Sequence, residues 1–437
     1  MIDLDDVRKR PDAYQKAVGD KWLRLDVRAF LELDELRRGK IRNIEEMRAR
    51  KNKVSKEIPN MKGGAKEKAL ADMKTLAGNL KKTEEELGKI EETWLQEQYN
   101  LPSIPLPSTP IGKDAKDNVE VSSWGDPKAI LKVKNPKDHV AIGEALDILD
   151  IPRGVKVSGP RNYFLKGDGA RLHLAVLRFT MDRLAEKGWT IFCPPLMAGY
   201  DCFFGTGFFP GVDQENIYAL GGQTEKGAPI EGNGLHLIGT SEVPVCSYHK
   251  DEVLAEKDLP KRYAGMSACF RREAGTYGKD TKGLYRVHQF DKVEQVVLCR
   301  ANLEEALALF EEIRTNAEEV LQALELPYRV VDVCTGDMGK AKVKMQDIET
   351  WMPSRNAYGE THSCSYLGDF QARRLNIKYD AADGTRLFVH TLNNTCIASP
   401  RILIPLLEIF QNADGTVTIP EVLRPYMGGR EIIGASC

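Results

Sequence analysis

Residues 270–295 read FRREAGTYGKDTKGLYRVHQFDKVEQ and carry the densest chemical pattern in this 437-residue chain. The stretch begins with Arg271, Arg272 and Glu273, continues through a glycine-rich segment, and returns through RVHQF to Glu294. Arginine presents a planar fork that binds phosphate oxygens bidentately. The stretch therefore predicts a strand–loop–strand hairpin that can hold a triphosphate beneath a mobile loop.

Hydroxyl, carboxylate and arginine side chains also cluster on both sides of this hairpin. They stand in TSE at 240–242, in ETHS at 360–363, and in NNT at 393–395 followed by Arg401. A glutamate with a serine hydroxyl suits Mg²⁺, which keeps most of its waters and bridges phosphates. These clusters predict a site for an anionic substrate and a divalent ion.

The surrounding sequence mixes strand-like runs with amphipathic helices. The runs VEQVVLC, YRVVDVC and RLFVHTL are apolar and β-branched, whereas Asn302 to Leu324 has the spacing of an amphipathic helix. Strands and helices do not alternate regularly along this part of the chain. The pattern predicts an α+β fold with a mostly antiparallel sheet flanked by helices.

The segment from Leu33 to Tyr99 predicts a long antiparallel coiled-coil arm. Apolar residues recur there at three- and four-residue steps in two seams, one on each side of the break IPNMKGGAKEK. Two helices of about 35 residues would give an arm about 50 Å long. The first helix and the tip are rich in lysine and arginine. Such a face is either an ordinary solvated helix surface or a lever that lies along a phosphate backbone.

A proline-rich stretch marks the boundary between the arm and the rest of the chain. LPSIPLPSTPIG at 101–112 contains four prolines, which favour an extended connector. We therefore expect an N-terminal arm-bearing domain at 1–101, a linker at 102–124 and a catalytic domain at 125–437.

Composition excludes several classes of protein. Lys and Arg total 62 and Asp and Glu total 64, so any nucleic-acid contact must come from a local patch. The nine cysteines stand singly and the seven histidines lie far apart, which predicts a reducing compartment and no zinc site. The polar start and the lack of an 18-residue apolar run predict a cytoplasmic protein without a membrane span.

Three common nucleotide and hydrolase motifs fail. Around residues 273–280, Glu273 and Asp280 stand where a P-loop requires glycine and a hydroxyl residue. In GTGFFPG, Pro210 stands where the dinucleotide fingerprint has its third glycine. The chain also has no G-x-S-x-G elbow. The triphosphate site therefore has to be of another kind.

Taken in order, these segments resemble the seryl-tRNA synthetases, a class II aminoacyl-tRNA synthetase family. The likeness covers the arm, the proline linker, GTGFFP, TSE, the hairpin at 270–295, SCSYLGDFQARR and PEVLRPYMGG. It implies an ATP-dependent ligase that joins L-serine to tRNA through a seryl-adenylate. It also implies a homodimer that forms through the segment from Lys187 to Pro195, with the arm of each subunit binding the long variable arm of tRNA.

The resemblance also implies site residues. Arg271, Glu273 and Arg401 would be catalytic, with Arg271 and Glu273 on the α-phosphate and the adenine edge and Arg401 on the γ-phosphate. The implied ATP-binding set is Arg271, Arg272, Glu273, Val287, His288, Gln289, Phe290, Glu360, Thr361, His362, Ser363 and Arg401. The implied serine-binding set is Thr240, Ser241, Glu242, Arg271, Glu294 and Thr395. Glu360 and Ser363 would hold the Mg²⁺ that accompanies ATP.

One segment departs from the family pattern. Between Thr391 and Arg401, bacterial members usually carry glycines where this chain has Asn394, Cys396 and Pro400, a loss shared with eukaryotic-type members. Because Arg401 and a hydroxyl at Thr395 persist, we expect an intact but repacked site. A pocket that hydrogen-bonds the serine hydroxyl can reject alanine by about 10⁴-fold, so no editing domain is expected.

Two other functions remain as alternatives. A ligase of the same fold that charges a carrier protein would lack the arm at residues 33–99. A non-enzymatic coiled-coil binding protein would be expected to have lost Arg271, Glu273, Glu360 or Arg401, and all four are present. HLIGT at 236–240 is only a broken form of the class I HIGH signature and no KMSKS follows, which excludes a class I synthetase. The sequence leaves open whether a selenocysteine tRNA is also charged.

Overall fold

The computed structural model describes residues 1–210, 212–223, 229–230, 234–274 and 282–434. The chain divides into two compact units, Met1–Ile104 and Pro105–Cys437. The glycine-rich loop of the predicted hairpin, at 275–281, lies outside the described residues. Within the described ranges, no helix combines the length and the apolar character needed to cross a membrane.

Twelve α-helices are found in the described residues. They are α1 (Leu4–Lys9), α2 (Pro11–Asp20), α3 (Val27–Glu57), α4 (Gly64–Asn100), α5 (His139–Ala145), α6 (Ile151–Ser158), α7 (Gly167–Glu186), α8 (Tyr200–Thr206), α9 (Glu242–Cys246), α10 (Leu303–Ala323), α11 (Phe370–Leu375) and α12 (Leu403–Ile409). Short 3₁₀ turns lie at Ile58–Asn60, Ala115–Asp117, Val212–Asn216, Ser247–His249, Glu256–Asp258, Pro353–Arg355, Glu421–Leu423 and Pro425–Met427.

In the first unit, α3 and α4 pack along each other as the predicted antiparallel arm. Asp26 starts α3 by accepting hydrogen bonds from the main-chain N–H groups of Arg28 and Ala29. The helices have 31 and 37 residues, which at the usual helical rise makes the arm about 50 Å long. Ile44 and Leu80 are buried between them. The predicted arm is confirmed.

A buried carboxylate ties the base of the arm together. Asp34 is 1% exposed and accepts hydrogen bonds from Arg8 Nη2 at 2.7 Å and Trp94 Nε1 at 3.1 Å. The guanidinium carbon of Arg37 lies 4.2 Å from the centroid of the Trp94 ring. Because a buried charge must be paired, these contacts fix the register of α3 against α4 at this end.

The second unit is built on an eight-stranded sheet. In chain order the strands of this unit are β1 (Val119–Trp124), β2 (Leu149–Asp150), β3 (Phe164–Leu165), β4 (Thr190–Phe192), β5 (Met197–Gly199), β6 (Gly222–Gln223), β7 (Pro229–Ile230), β8 (Leu235–Leu237), β9 (Val253–Ala255), β10 (Lys261–Phe270), β11 (Gln289–Cys299), β12 (Tyr328–Asp332), β13 (Lys344–Met352), β14 (Ala357–Gly368), β15 (Lys378–Asp380), β16 (Arg386–Phe388), β17 (His390–Ser399), β18 (Val417–Thr418) and β19 (Ile432–Ile433).

The large sheet has the order β1-β12-β13-β14-β17-β11-β10-β4. Every neighbouring pair is antiparallel except β10 with β4, which is parallel. The predicted α+β fold with a mostly antiparallel sheet is therefore confirmed. Residues 119–124, which the sequence assigns to the end of the linker, form the edge strand β1 paired with β12.

Alternation along the strands gives the sheet two different faces. Val293 and Val297 of β11 join the hydrophobic core beneath α7 and α10, so Lys292 and Glu294 point to the opposite face. The pairing of β11 with β17 shifts register between Val293 and Glu294, which leaves Cys396 as an extra residue. This bulge turns the side chain of Thr395 towards Glu294.

Candidate active site

The predicted hairpin is closed at its base by two hydrogen bonds between Arg271 and His288. The Arg271 N–H donates to the His288 carbonyl at 2.9 Å, and the His288 Nδ1–H donates back to the Arg271 carbonyl at 2.9 Å. The Arg271 side chain donates from Nε to the Gly239 carbonyl at 3.3 Å. Its guanidinium carbon lies 5.2 Å from the centroid of the Phe290 ring. A cation and an aromatic surface therefore stand side by side at the mouth of the hairpin.

Beyond Arg271, the chain turns sharply at Glu273. This residue has φ of +50°, in the left-handed region that non-glycine residues seldom adopt. Its carboxylate pairs with Arg286 at 3.2 Å across the hairpin. The next residue, Ala274, donates its N–H to the side-chain oxygen of Asn216 at 2.8 Å. The turn is thus held from both sides.

A buried ion pair lies on the same face of β11. Lys292 Nζ is 2.6 Å from Glu294 Oε2, with side-chain exposures of 6% and 3%. Lys292 also donates to the hydroxyl of Thr240 at 2.8 Å, and the hydroxyl of Thr395 donates to Glu294 at 3.1 Å. Four polar side chains from three segments therefore form one cluster without water-exposed charges. Such a cluster can recognise a small polar molecule.

Glu242 lies beside this cluster at the start of α9. Its Oε1 accepts hydrogen bonds from Gln371 at 2.7 Å and Asn393 at 2.9 Å. Burial raises the pKa of Glu242 to about 7, and the nearby Glu294 carboxylate acts in the same direction. The raised pKa favours the protonated form of this carboxyl.

Two carboxylates and a hydroxyl meet on β13 and β14. Asp347 pairs with Ser363 across the strands, and the register shift around Ile348 leaves Thr361 as an extra residue. Burial, together with the Glu360 charge, raises the pKa of Asp347, and the nearby Ser363 hydroxyl acts in the opposite direction. Asp347 Oδ1 is buried and has no hydrogen-bond partner within the described residues.

This arrangement fits a hard divalent cation. An unpartnered carboxylate oxygen beside Ser363 and Glu360 offers the oxygen ligands that Mg²⁺ prefers, and Mg²⁺ completes its shell with waters and phosphates. Among the described residues, no group of three or more His, Cys, Asp or Glu side chains is arranged to hold a metal. A cation there would therefore depend on its substrate for further ligands.

Arg401 connects the candidate cation ligands on β14 to the hairpin. Its Nη1 donates to the main-chain carbonyl of Glu360 at 2.9 Å, and its Nε donates to the carbonyl of Tyr285 at 3.0 Å. Its guanidinium carbon lies 4.5 Å from the centroid of the Tyr285 ring. The sheet face thus carries two arginines, Arg271 and Arg401, with the acidic pair near the second.

Comparison with known proteins identifies this arrangement. Residues 1–105 match the seryl-tRNA synthetase N-terminal domain, and residues 229–410 match the class II tRNA synthetase core domain of the G, H, P, S and T enzymes. The chain is 46% identical over 434 residues to the serine–tRNA ligase of Deinococcus radiodurans, covering 99% of both chains. The chain belongs to the seryl-tRNA synthetase family.

Solved seryl-tRNA synthetases have the same fold. The enzyme of Pyrococcus horikoshii, crystallised with ATP, superimposes with a TM-score of 0.85 at 38% identity and covers 100% of both chains. The cytoplasmic enzyme of Naegleria fowleri, in complex with AMP, gives 0.82 at 31% identity, covering 98% of this chain and 96% of its own. The predicted family and the predicted serine–tRNA ligase activity are confirmed.

Four side chains that the seryl-tRNA synthetase resemblance implied, Ser241 for serine and three others for ATP, make their contacts outside the polar cluster. The Ser241 hydroxyl is fully buried and donates to the Gly265 carbonyl at 2.8 Å. Gln289 lines a cavity of about 310 Å³ with Asp291 and His173, on the other face of β11, because alternate residues of a strand point opposite ways. The roles that the resemblance implied for these residues stay predictions.

The other two side chains lie on β14. The Thr361 hydroxyl is buried between strands, 2.7 Å from the hydroxyl of Thr350. His362 is 1% exposed and donates from Nε2 to the carbonyl of Cys396 at 3.1 Å. Burial lowers the pKa of His362 to about 3, so the ring is neutral and packs inside the sheet. Glu360 and Ser363 lie on either side of these two inward residues.

Sequence reasoning missed Lys292, Asn393, Gln371 and Asp347. Lys292 and Asn393 stand two residues before Glu294 and Thr395, so period-two alternation along a strand could have found them. Gln371 and Asp347 reach the site from separate elements, α11 and β13. The local sequence does not indicate which strand or helix will pack beside Gln371 or Asp347.

Proposed function

We propose that the face of the sheet that bears Arg271, Glu294 and Arg401 carries out serine adenylation. The supporting observation is the Lys292–Glu294 pair, which lies on β11 two and four residues after Phe290. A serine seated on this pair would lie next to an α-phosphate bound by Arg271. The following roles extend this proposal.

ATP would lie across the hairpin base. Its adenine would pack near Phe290 and the main chain of Val287 and His288, with its edge read by Glu273. Arg271 would bind the α-phosphate, and Arg401 the γ-phosphate. Both guanidiniums are already held by carbonyl oxygens and aromatic rings, so little side-chain freedom would be lost on binding.

Serine would be recognised by the polar cluster. Thr240, Glu242, Glu294 and Thr395 together offer two carboxylates and two hydroxyls to an ammonium group and a hydroxyl. Alanine would leave buried partners of the missing hydroxyl unpaired, which costs binding free energy. The raised pKa of Glu242 lets its carboxyl donate or accept a hydrogen bond, which suits a substrate that carries both donors and acceptors.

The reaction follows from this arrangement. The serine carboxylate attacks the α-phosphorus in line, the bond to the bridging oxygen breaks, and pyrophosphate leaves. The seryl group then passes to the terminal ribose hydroxyl of tRNA, and AMP leaves. Arg271 and Arg401 stabilise the negative charge that grows on phosphate oxygens. Mg²⁺, held by Glu360 and Ser363 with Asp347 Oδ1 adjacent, would neutralise further phosphate charge when bound.

The arm would bind tRNA through its basic side chains. Lys51, Lys53 and Lys56 of α3 form no ion pair within the described residues, whereas Arg37 and Arg48 pair with Glu91 and Glu84 of α4. Unpaired lysines near the tip can contact phosphates without first breaking internal pairs.

We also propose a cytoplasmic homodimer that uses Mg²⁺ and no zinc. Leu174 of α7 is 59% exposed and lines a cavity with Tyr163 and Leu165, and exposed apolar surface of this kind is typical of subunit contacts. We expect the segment from Lys187 to Pro195, which contains β4, to form part of the same subunit interface. Light scattering of the purified chain should give twice the monomer mass.

The direct test is ATP–pyrophosphate exchange on purified protein without tRNA. Exchange should depend on serine and stay at background with threonine, alanine and glycine. Equal exchange with alanine would contradict the serine pocket. No exchange with any amino acid, from a folded protein, would contradict the adenylation proposal.

A further inference from the structure

A fully buried carboxylate lies outside the cluster described above. Glu408 of α12 is 0% exposed. Its oxygens accept the main-chain N–H of His139 at 3.0 Å and of Ser354 at 2.9 Å, and the hydroxyl of Ser354 at 2.8 Å. The His139 ring nitrogen Nδ1 lies 2.8 Å from Glu408 Oε1. Four donors therefore satisfy this one buried carboxylate.

The second ring nitrogen of His139 contacts the hairpin. The main-chain N–H of Leu284 points to His139 Nε2 at 3.1 Å. An amide N–H can only donate, so Nε2 accepts with its lone pair and Nδ1 carries the hydrogen that Glu408 accepts. Glu408 therefore fixes the tautomer of His139, and that tautomer is the one that can hold Leu284.

Leu284 lies in the limb of the hairpin that returns to β11. The next residue, Tyr285, accepts a hydrogen bond from Arg401 Nε through its carbonyl and packs its ring against the same guanidinium. Arg286 then pairs with Glu273. Leu284, which contacts His139, thus lies one residue before Tyr285, which holds Arg401. It lies two residues before Arg286, the partner of Glu273.

Gly283 shows how closely the two segments approach. It has φ of +81°, and a Cβ at this position would stand 2.2 Å from His139 Nε2. Neither the backbone conformation nor the space allows a side chain there. The hairpin limb is therefore fitted to the His139 ring and not merely near it.

We propose that His139, oriented by Glu408, is a positioning residue for ATP: it holds the returning limb of the hairpin so that Tyr285 keeps Arg401 in place. This inference rests on the proposed function, in which Arg401 binds the γ-phosphate of ATP. His139 does not touch the substrate in this account, and it acts through Leu284 and Tyr285. Serine binding, on the Lys292–Glu294 pair, should be independent of it.

Two substitutions separate the two contacts of His139. In His139→Asn, the side-chain amide can replace the Nδ1–H that binds Glu408, but nothing reaches Leu284. In His139→Gln, the longer side chain can offer its oxygen to the Leu284 N–H, while the donor to Glu408 is lost. The matched control is His249→Asn, because His249 is also 8% exposed and bridges Glu252 and Tyr263 away from the nucleotide.

The readouts are the KM for ATP and for serine in pyrophosphate exchange, and the melting temperature. We expect His139→Asn to raise the KM for ATP about tenfold, the equivalent of one lost hydrogen bond, with the KM for serine unchanged. His139→Gln should keep the KM for ATP near wild type and lower the melting temperature. His249→Asn should leave both KM values unchanged.

Hydrogen exchange of the Leu284 amide gives a readout that does not depend on activity. Exchange should be slow in the wild type and in His139→Gln, and fast in His139→Asn. Gly283→Ala, which drives a methyl group into the ring, should reproduce the ATP effect and decides the question where His139→Asn does not fold.

An unchanged KM for ATP in both His139→Asn and Gly283→Ala would overturn the proposal. Equal losses for ATP and serine would also overturn it, because they would indicate general unfolding of the site. If the wild-type protein showed no ATP–pyrophosphate exchange with any amino acid, that result would instead overturn the proposed function, and this inference with it.

Discussion

The arm and the large sheet both carry ion pairs between a basic side chain and a glutamate, but the pairs differ in their exposure to solvent. On the arm, Arg48 and Glu84 pair with 60% and 39% of their side chains exposed. On the sheet, Lys292 and Glu294 pair with 6% and 3% exposed. An exposed pair contributes about 0–1 kcal/mol and is screened by salt. Removing one partner of a buried pair costs about 3–5 kcal/mol because the other charge stays behind.

This difference matches the substrates that we propose for the two regions. A long polyanion is bound by many weak, replaceable contacts, which suits the surface density of basic side chains on the arm. A single amino acid is bound by a few fixed groups, which suits the buried pair on the sheet and its contacts with Thr240 and Thr395. Substitutions on the sheet should therefore have much larger effects than those on the arm.

The largest effect is expected at Arg271. Arg271→Ala removes the charge proposed for the α-phosphate and should lower serine-dependent pyrophosphate exchange by about 10³-fold. Circular dichroism should be unchanged, because the side chain is only partly buried. Arg262→Ala is the control, because Arg262 lies on β10, the strand that leads into Arg271, and is paired with Glu312. Exchange within tenfold of wild type would refute the phosphate assignment.

The next largest effect is expected at Glu294. Glu294→Gln leaves Lys292 without its charged partner and removes a carboxylate proposed for serine. We expect kcat/KM for serine to fall about 10²-fold, with the KM for ATP within twofold. Glu349→Gln, which breaks the Arg329 pair on the same sheet, should leave both values unchanged. An equal loss for ATP and serine would contradict a dedicated serine pocket.

A smaller effect is expected on the arm. Replacing Lys51, Lys53 and Lys56 together by glutamine should lower kcat/KM for tRNA about tenfold and weaken its salt dependence. Exchange without tRNA should not change. The triple replacement of Lys116, Lys128 and Lys132 by glutamine, in the second unit, serves as the control. Normal charging by the arm variant would contradict the tRNA role of these lysines.

A pH-dependent stability effect is expected at Glu242. Its pKa of about 7 in the folded protein exceeds the ordinary glutamate value of about 4.3, so the folded state keeps a proton that the unfolded state releases. The wild type therefore loses stability between these two pH values. The melting temperature of Glu242→Gln minus that of the wild type should therefore increase from pH 5 to pH 8. A constant difference would contradict a buried carboxyl, and Glu312→Gln should show no such trend.

The smallest effect is expected for the exposed arm pair. Glu84→Gln should lower the free energy of unfolding by less than about 1 kcal/mol, and the loss should shrink in high salt. Urea titration at two salt concentrations measures it. A larger, salt-independent loss would mean that exposure does not separate the two regions.

The sequence was sufficient for the architecture but not for the full set of site residues. Helical seams and the break at Pro59 predicted the arm, since coiled-coil periodicity is local. Strand β1 was missed, because its exposed residues 119–124 gain a partner only from β12, more than 200 residues away. Local patterns do not reveal such long-range pairing.

The same limit applies to the site. Arg271, Glu294 and Arg401 stand in a contiguous or strongly patterned context and lie on the face that we propose for the chemistry. Gln289 and His362 stand in equally patterned segments, yet strand alternation and the extra residue at Thr361 turn them away. Which way a side chain points depends on register and bulges, which the sequence alone did not fix.

The most direct test of the account is a crystal structure with a non-hydrolysable seryl-adenylate analogue. The seryl group should lie on Thr240, Glu294 and Thr395, the adenine next to Phe290, and the phosphate mimic on Arg271. An analogue bound on the opposite face of β11, in the cavity lined by Gln289 and Asp291, would contradict the assignment of chemistry to this face.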